Sequence, residues 1–199
     1  MPIIHAFDPP ERFVAGTVGE PGARTFFLQA RTGLRVTSVA LEKQQVAALA
    51  ERIDELLDEV MATDTSTVVP AVAPLGLEDS APLEQPIEEE FRAGTMTLSW
   101  DPADERVVIE VFPITDVAIV SADEIEDGDE LDDDIVEPEA DELLLVRITA
   151  SAARSFVQRT EQVLDAGRPG CPFCGNPIDP DGHLCVRANG FRRRDPQTP

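Results

Sequence analysis

Residues 13–31 read FVAGTVGEPGARTFFLQAR, and this stretch sets the architecture. Two short runs rich in β-branched and aromatic residues, Phe13–Gly19 and Thr25–Arg31, flank Glu20–Pro21–Gly22, the punctuation of a hairpin. Thr32–Gly33 marks a further turn, and Val36–Leu41 reads as a third strand. A helix then spans about Glu42 to Met61, with Val46, Leu49, Ile53, Leu56, Leu57 and Val60 recurring at spacings of three and four along one face. Such a face needs a sheet or another helix to cover it. Ahead of the hairpin, Pro9–Pro10 limits Ile3–Phe7 to a short edge strand.

The same order of elements returns downstream. Phe91–Trp100 and Arg106–Phe112 flank the turn Asp101–Asp104, Glu142–Thr149 is a further strand, and a helix runs from about Ser151, its expected N-cap, to Ala166. Phe13-Val-Ala-Gly-Thr17 is echoed by Phe91-Arg-Ala-Gly-Thr95. The expected fold is therefore α+β: a two-layer arrangement of antiparallel sheets packed against two helices, built by internal duplication with a pseudo-twofold, and followed by a small C-terminal zinc loop. The chain divides into a first β-meander-plus-helix unit at 1–61, a Pro/Thr/Ala-rich linker at 62–90, a second unit at 91–167 and a metal-binding loop with a basic tail at 168–199.

Charge is distributed unevenly. The 199 residues carry a formal net charge of -23, with 39 acidic against 16 basic side chains, which argues against a broad nucleic-acid binder. Thirteen acids and no base fall in the insertion Ser121–Glu142, SADEIEDGDELDDDIVEPEADE, which repels itself and reads as a solvated, disordered loop or as an acidic peptide for a basic partner. It makes a poor Ca²⁺ loop, because Ile125 and Leu131 stand where oxygen ligands are wanted. At the other extreme, Arg187 and Arg192, Arg193 and Arg194 make the C-terminal tail basic, suited to carboxylate or phosphate on a partner or to the chain's own acid. The chain has no apolar run near 18 residues, so no membrane span is expected. Its first residues, MPIIHAFDPPERF, lack the basic and apolar regions of a signal peptide, so a cytoplasmic location is expected.

All three cysteines lie near the C-terminus, in Cys171-Pro-Phe-Cys174 and, after His183, Cys185. Zn²⁺ takes four soft or borderline ligands in a tetrahedron, and Cys-x2-Cys offers two thiolates from one tight turn. Pro177 and the Asp179–Gly182 stretch suit a reversal that returns His183 and Cys185. The expected site is structural Zn²⁺ on Cys171, Cys174, His183 and Cys185, a closed shell with no open position for catalysis. Cys₃ plus water is the alternative if His183 is not a ligand. The Cys-x-x-Cys pair lacks the βαβ setting of a redox motif, and an odd cysteine count in a cytoplasmic chain disfavours disulfides.

Nothing in the sequence assembles an active site. There is no GxGxxG opening a helix, no Walker loop, no HExxH and no GxSxG. His5 stands alone as a base with no partner that sequence can place beside it, and Gly16, Gly19 and Gly22 read as turn residues. The combination FDPPERFVAGTVGEPGARTFFLQAR, VALEKQQVAALAERIDELLDEV and CPFCGNPIDPDGHLC…RANG closely resembles an uncharacterised family of about this length, widespread in actinobacteria, over nearly the whole chain. The resemblance implies no catalytic residues. It does imply a pathway shared with a histidine-phosphatase-like and a kinase-fold-like protein, whose genes accompany the family. The expected function is a zinc-stabilised, non-catalytic adaptor or regulatory protein that binds another protein through loop 121–142 or the tail Arg192–Arg194. The alternatives are an enzyme with a cleft between the two repeats and a nucleic-acid-associated protein using the zinc loop and arginine tail.

Overall fold

The structure, a computed structural model, describes residues 2–20, 22–63, 67–114, 141–166, 171–174, 178, 185 and 187. Among the described residues, seven strands and two helices follow in the order β1 (Ile3–Phe7), β2 (Arg12–Val18), β3 (Thr25–Thr32), β4 (Arg35–Leu41), α1 (Lys43–Thr63), β5 (Glu89–Asp101), β6 (Arg106–Pro113), β7 (Glu142–Thr149) and α2 (Ala150–Asp165). Thr149, not Ser151, caps α2: its hydroxyl accepts the Ala152 amide at 3.2 Å.

All seven strands form one sheet in the order β1-β7-β6-β5-β4-β3-β2. The meanders β2–β3–β4 and β5–β6–β7 are antiparallel; turn residues predict the pairings β2–β3, β3–β4 and β5–β6, while β6 and β7 are joined by the long acidic insertion. The sheet as a whole is mixed, which corrects the expectation of antiparallel sheets. β5 lies parallel to β4, because α1 and the segment after it carry the chain back to the end where β4 began. β1 lies parallel to β7 at one edge, with His5 opposite Leu144.

The sheet is strongly curled. β1 and β2 are its opposite edges, yet five residue steps join Phe7 to Arg12, a reach of at most about 18 Å. Six inter-strand spacings of about 4.8 Å would part the edges of a flat sheet by about 29 Å. The two edges must therefore approach each other. Arg35, at the start of β4, seals the approach: its guanidinium sits 4.2 Å from the centre of the Phe7 ring and donates to the Ala6 carbonyl of β1.

One apolar core draws on every strand and both helices, including Phe7, Leu28, Val39, Ile53, Leu57, Ile109, Leu144 and Phe156. Phe13 of β2 stacks on Phe156 of α2 at 4.7 Å. A smaller cluster lies on the other face of β2–β4, where Val14, Phe27 and Ala40 are covered by Leu83 with Ile87 beside it. Leu83 belongs to the Pro-rich segment between α1 and β5, whose described part, 67–88, wraps the sheet as a strap. Gly16 faces Leu83 so closely that a Cβ there would lie 2.6 Å from the leucine Cγ. Close packing explains this glycine, whereas Gly19 and Gly22, at φ of 102° and 103°, serve the turn as expected.

Candidate functional site

The strap is fastened by buried and half-buried polar groups. Arg159 of α2 donates from Nε to the Ala15 carbonyl of β2 at 2.9 Å, from Nη2 to the Ala81 carbonyl at 2.8 Å and from Nη1 to the Asp79 carboxylate at 3.0 Å. Arg12 grips the same carboxylate with two bonds, at 2.6 and 3.0 Å, and reaches the Ala81 and Pro82 carbonyls. The Arg12 bond holds the Asp79 carboxyl below its ordinary value against the opposing pull of burial. Burial pulls the Arg159 guanidinium down, with Asp79 opposing. Gln29 of β3 exchanges two bonds with the Glu84 backbone, at 2.7 and 3.2 Å. Arg154, 4 % exposed, fastens the other end, donating to the Pro70 carbonyl at 2.9 Å and to Asp54 and Asp58 of α1. None of these five side chains stood out in the sequence. The available signal was phase: Arg154 and Arg159 fall in step with Ala150, Phe156, Val157 and Val163 on the apolar face of α2, where an unpaired charge is not tolerated.

The described cavities are small. One of about 160 Å³ lies between β2 and α2, lined by Arg12, Phe13, Asp79, Ser155, Phe156 and Arg159. Another, of about 320 Å³, is a groove between α1 and α2 with Glu51, Asp54, Glu55 and Glu161 around an apolar floor. In the first, the charged groups Arg12, Asp79 and Arg159 are already bonded to one another.

The three cysteines come together as the sequence predicts. Cys171 and Cys185 are buried, their sulfurs 3.8 Å apart, and all three Sγ atoms lie within 4.8 Å of one another. None forms a disulfide, which would need about 2.05 Å. The 3.8 Å separation is close to the edge of a tetrahedron with metal–sulfur bonds of about 2.3 Å. Burial works against the Cys171 thiolate, but the Phe173 and Cys174 amides and the adjacent thiols outweigh it and lower that thiol below its ordinary value. The Phe173 amide sits 3.4 Å from the Cys171 sulfur, and Arg187 donates to the Phe173 carbonyl at 3.2 Å, bracing the turn. The cluster can hold a metal ion. His183, the acidic insertion through residue 140 and Arg192–Arg194 lie outside the described residues.

His5, which sequence left without a partner, has two. Its Nε2 is 2.6 Å from Oε1 of Glu142 and 3.9 Å from Oε1 of Glu90. Parallel pairing supplies the first: Glu142 pairs with Ile3, two residues from His5, and so is the diagonal neighbour of His5 on one face. The signal was absent from the sequence because 137 residues separate the two and nothing local announces a parallel pairing. Among the described residues, no helix is long and apolar enough to cross a membrane.

No curated protein and no solved structure matches the chain. One family model does, over residues 5–185, from the β1 histidine to the last cysteine, and the chain belongs to that family, described as Protein of unknown function (DUF3090).

Proposed function

We propose that the chain is a zinc-stabilised, non-catalytic adaptor or regulatory protein of the cytoplasm. Cys171, Cys174 and Cys185 supply three thiolates and His183 the fourth ligand to one structural Zn²⁺. The three-sulfur spacing supports this, and a closed Cys₃His shell leaves no position for substrate.

The observation that carries the adaptor reading is the engagement of the charges around the strap. Arg12, Asp79, Arg154 and Arg159 are joined to one another, to the strap or to α1, so they hold the scaffold rigid and are not left for chemistry. Recognition then falls to the two charged extremes, the acidic insertion 121–142 and the tail with Arg192, Arg193 and Arg194.

The scaffold arose by duplication. Supporting this, each Phe-x-Ala-Gly-Thr segment buries its alanine, Ala15 or Ala93, and each glycine receives a close approach, from Leu83 at Gly16 and from the Pro113 carbonyl at Gly94. Each alanine carbonyl also accepts a bond from the helix of the opposite unit. Arg159 of α2 reaches Ala15, and Gln45 of α1 reaches Ala93 at 3.0 Å. In a curled sheet, two tandem units with exchanged helices are related by a twofold along the curl, in keeping with β5 beside β4 and β1 beside β7, both parallel.

The test is affinity isolation of the full chain from native cytoplasm at low salt, beside a variant whose Asp and Glu at 121–142 become Asn and Gln. A stoichiometric protein partner retained by the wild type and lost by the variant, or by Ala at 192–194, is the expected result. Absence of any stoichiometric partner overturns the adaptor reading.

A further inference from the structure

Among the described residues, several carboxylates are gathered in groups of two or more around one base, and in five of the groups the centre is an arginine. Arg154 takes Asp54 and Asp58; Arg147 takes Asp8, Asp101 and Asp104; Arg92 takes Glu42 and Glu89; Arg31 takes Glu11 and Glu84; Arg12 takes Asp79 and Glu84. An arginine centre is a permanent cation with no lone pair to offer a metal. The sixth group differs. Glu90 and Glu142 converge on His5, and among the described residues neither has an ion pair with Lys or Arg.

That substitution changes the chemistry. Two carboxylates carry two negative charges, and one imidazole offsets at most one of them. A single imidazole N–H also satisfies only one carboxylate, here Glu142 at 2.6 Å, and leaves Glu90 at 3.9 Å facing a second anion. A dication removes both problems. Neutral imidazole donates a lone pair to it, each carboxylate donates an oxygen, and the net charge of the group becomes zero.

Geometry allows the exchange. All three donor atoms lie within 4.8 Å of one another. Donors sharing one ion at about 2.1 Å stand roughly 3.0 to 3.4 Å apart, and the distances of 2.6 and 3.9 Å bracket that range. Glu90, 43 % exposed, is the member with room to turn inward, while His5 and Glu142, at 16 % and 23 %, are held by the β1–β7 pairing. The site also stands at the root of the acidic insertion. The Ile3 amide bonds the Asp141 carbonyl at 2.8 Å, which holds the residue before Glu142 against β1.

We propose that His5, Glu90 and Glu142 bind a divalent first-row transition ion, of the Zn²⁺, Co²⁺ or Fe²⁺ class, with further positions open to water or to an oxygen ligand. The site is separate from the cysteine cluster and does not depend on the zinc reading. One imidazole and two carboxylates without thiolate favour these ions over Cu⁺, and the imidazole disfavours Mg²⁺ and Ca²⁺.

The test uses the full chain as purified, dialysed against Co²⁺, with bound cobalt counted by elemental analysis and its visible spectrum recorded. The wild type is expected to take up one more Co²⁺ per chain than His5→Ala. That extra ion should give weak d–d bands and no near-ultraviolet thiolate charge-transfer band. Glu90→Gln, on an exposed residue outside the β1–β7 pairing, should weaken this uptake at least tenfold while leaving circular dichroism unchanged. This keeps the test decisive if His5→Ala loosens β1. Equal cobalt uptake by wild type, His5→Ala and Glu90→Gln would assign the ions to diffuse binding on acidic residues and overturn the proposal. Uptake accompanied only by a thiolate band would do the same.

Discussion

The two strand meanders share an order and differ in their covering. In the first, β3 is buried at five successive residues, Phe26–Ala30, and β4 at five, Thr37–Leu41. In the second, burial alternates: Val107, Ile109 and Val111 on β6, then Leu144, Val146 and Ile148 on β7. Alternation is the pattern of a sheet with one face on the core, and continuous burial that of a sheet covered on both. The strap 67–88 makes the difference, laying Leu83 on Phe27 and Ala40 and bonding Gln29 through Glu84. Two meanders of like strand order thus present two different surfaces, one sheathed and one open, through a segment that has no regular secondary structure between Thr67 and Glu88.

If the strap sheathes the first meander, cutting its fastenings should erase the contrast. Arg159→Met removes the bonds to Ala15, Asp79 and Ala81 together. Breaking a buried ion pair costs about 3 to 5 kcal/mol, and Asp79 retains some solvent, so the loss should be about 3 kcal/mol in urea unfolding. Limited proteolysis should then open within 67–88. A smaller effect comes from the contact itself. Leu83→Ala should cost about 2.5 kcal/mol, and Gly16→Ala, whose Cβ would meet Leu83 at 2.6 Å, about 2 kcal/mol. The double variant should be less destabilised than the sum of the two, because the alanine at 16 then occupies space the leucine vacates.

Acid should loosen the same fastening. The Asp79 carboxyl sits below its ordinary value of 3.8 when folded, chiefly through its Arg12 bond. Its contribution is therefore present above about pH 4 and is lost as pH falls through the folded value. Asp79→Asn should cost about 1.5 kcal/mol at pH 7, the worth of a charge-assisted bond. The gap between wild type and variant should narrow in unfolding curves taken below pH 4. On the open meander, Thr97→Ala loses only an exposed bond to Glu110 and should change stability by less than about 0.5 kcal/mol.

Local signals carried much of the fold. Turn residues and periodicity gave the meanders, both helices and the short edge strand β1. Pairings made across distance left no such mark. The parallel contacts β4–β5 and β1–β7 and the curl that brings Phe7 to Arg35 depend on where the long connections return the chain. Ala62–Glu88 read as a linker because its anchors are scattered: one leucine, one aspartate and carbonyls that any sequence would possess. At the candidate metal centre, the cysteine grouping was legible because its three cysteines fall within fifteen residues, and the structure brings their sulfurs together. The His5 group was not legible, since its three members come from β1, β5 and β7.

The zinc-held cysteine turn is the central functional claim, and X-ray absorption at the zinc edge of the purified full chain tests it most directly. One Zn²⁺ per chain with three sulfurs at about 2.3 Å and one nitrogen at about 2.0 Å is the predicted result, with zinc lost in Cys174→Ser. A folded wild type free of zinc, or a shell of nitrogen and oxygen alone, would contradict it.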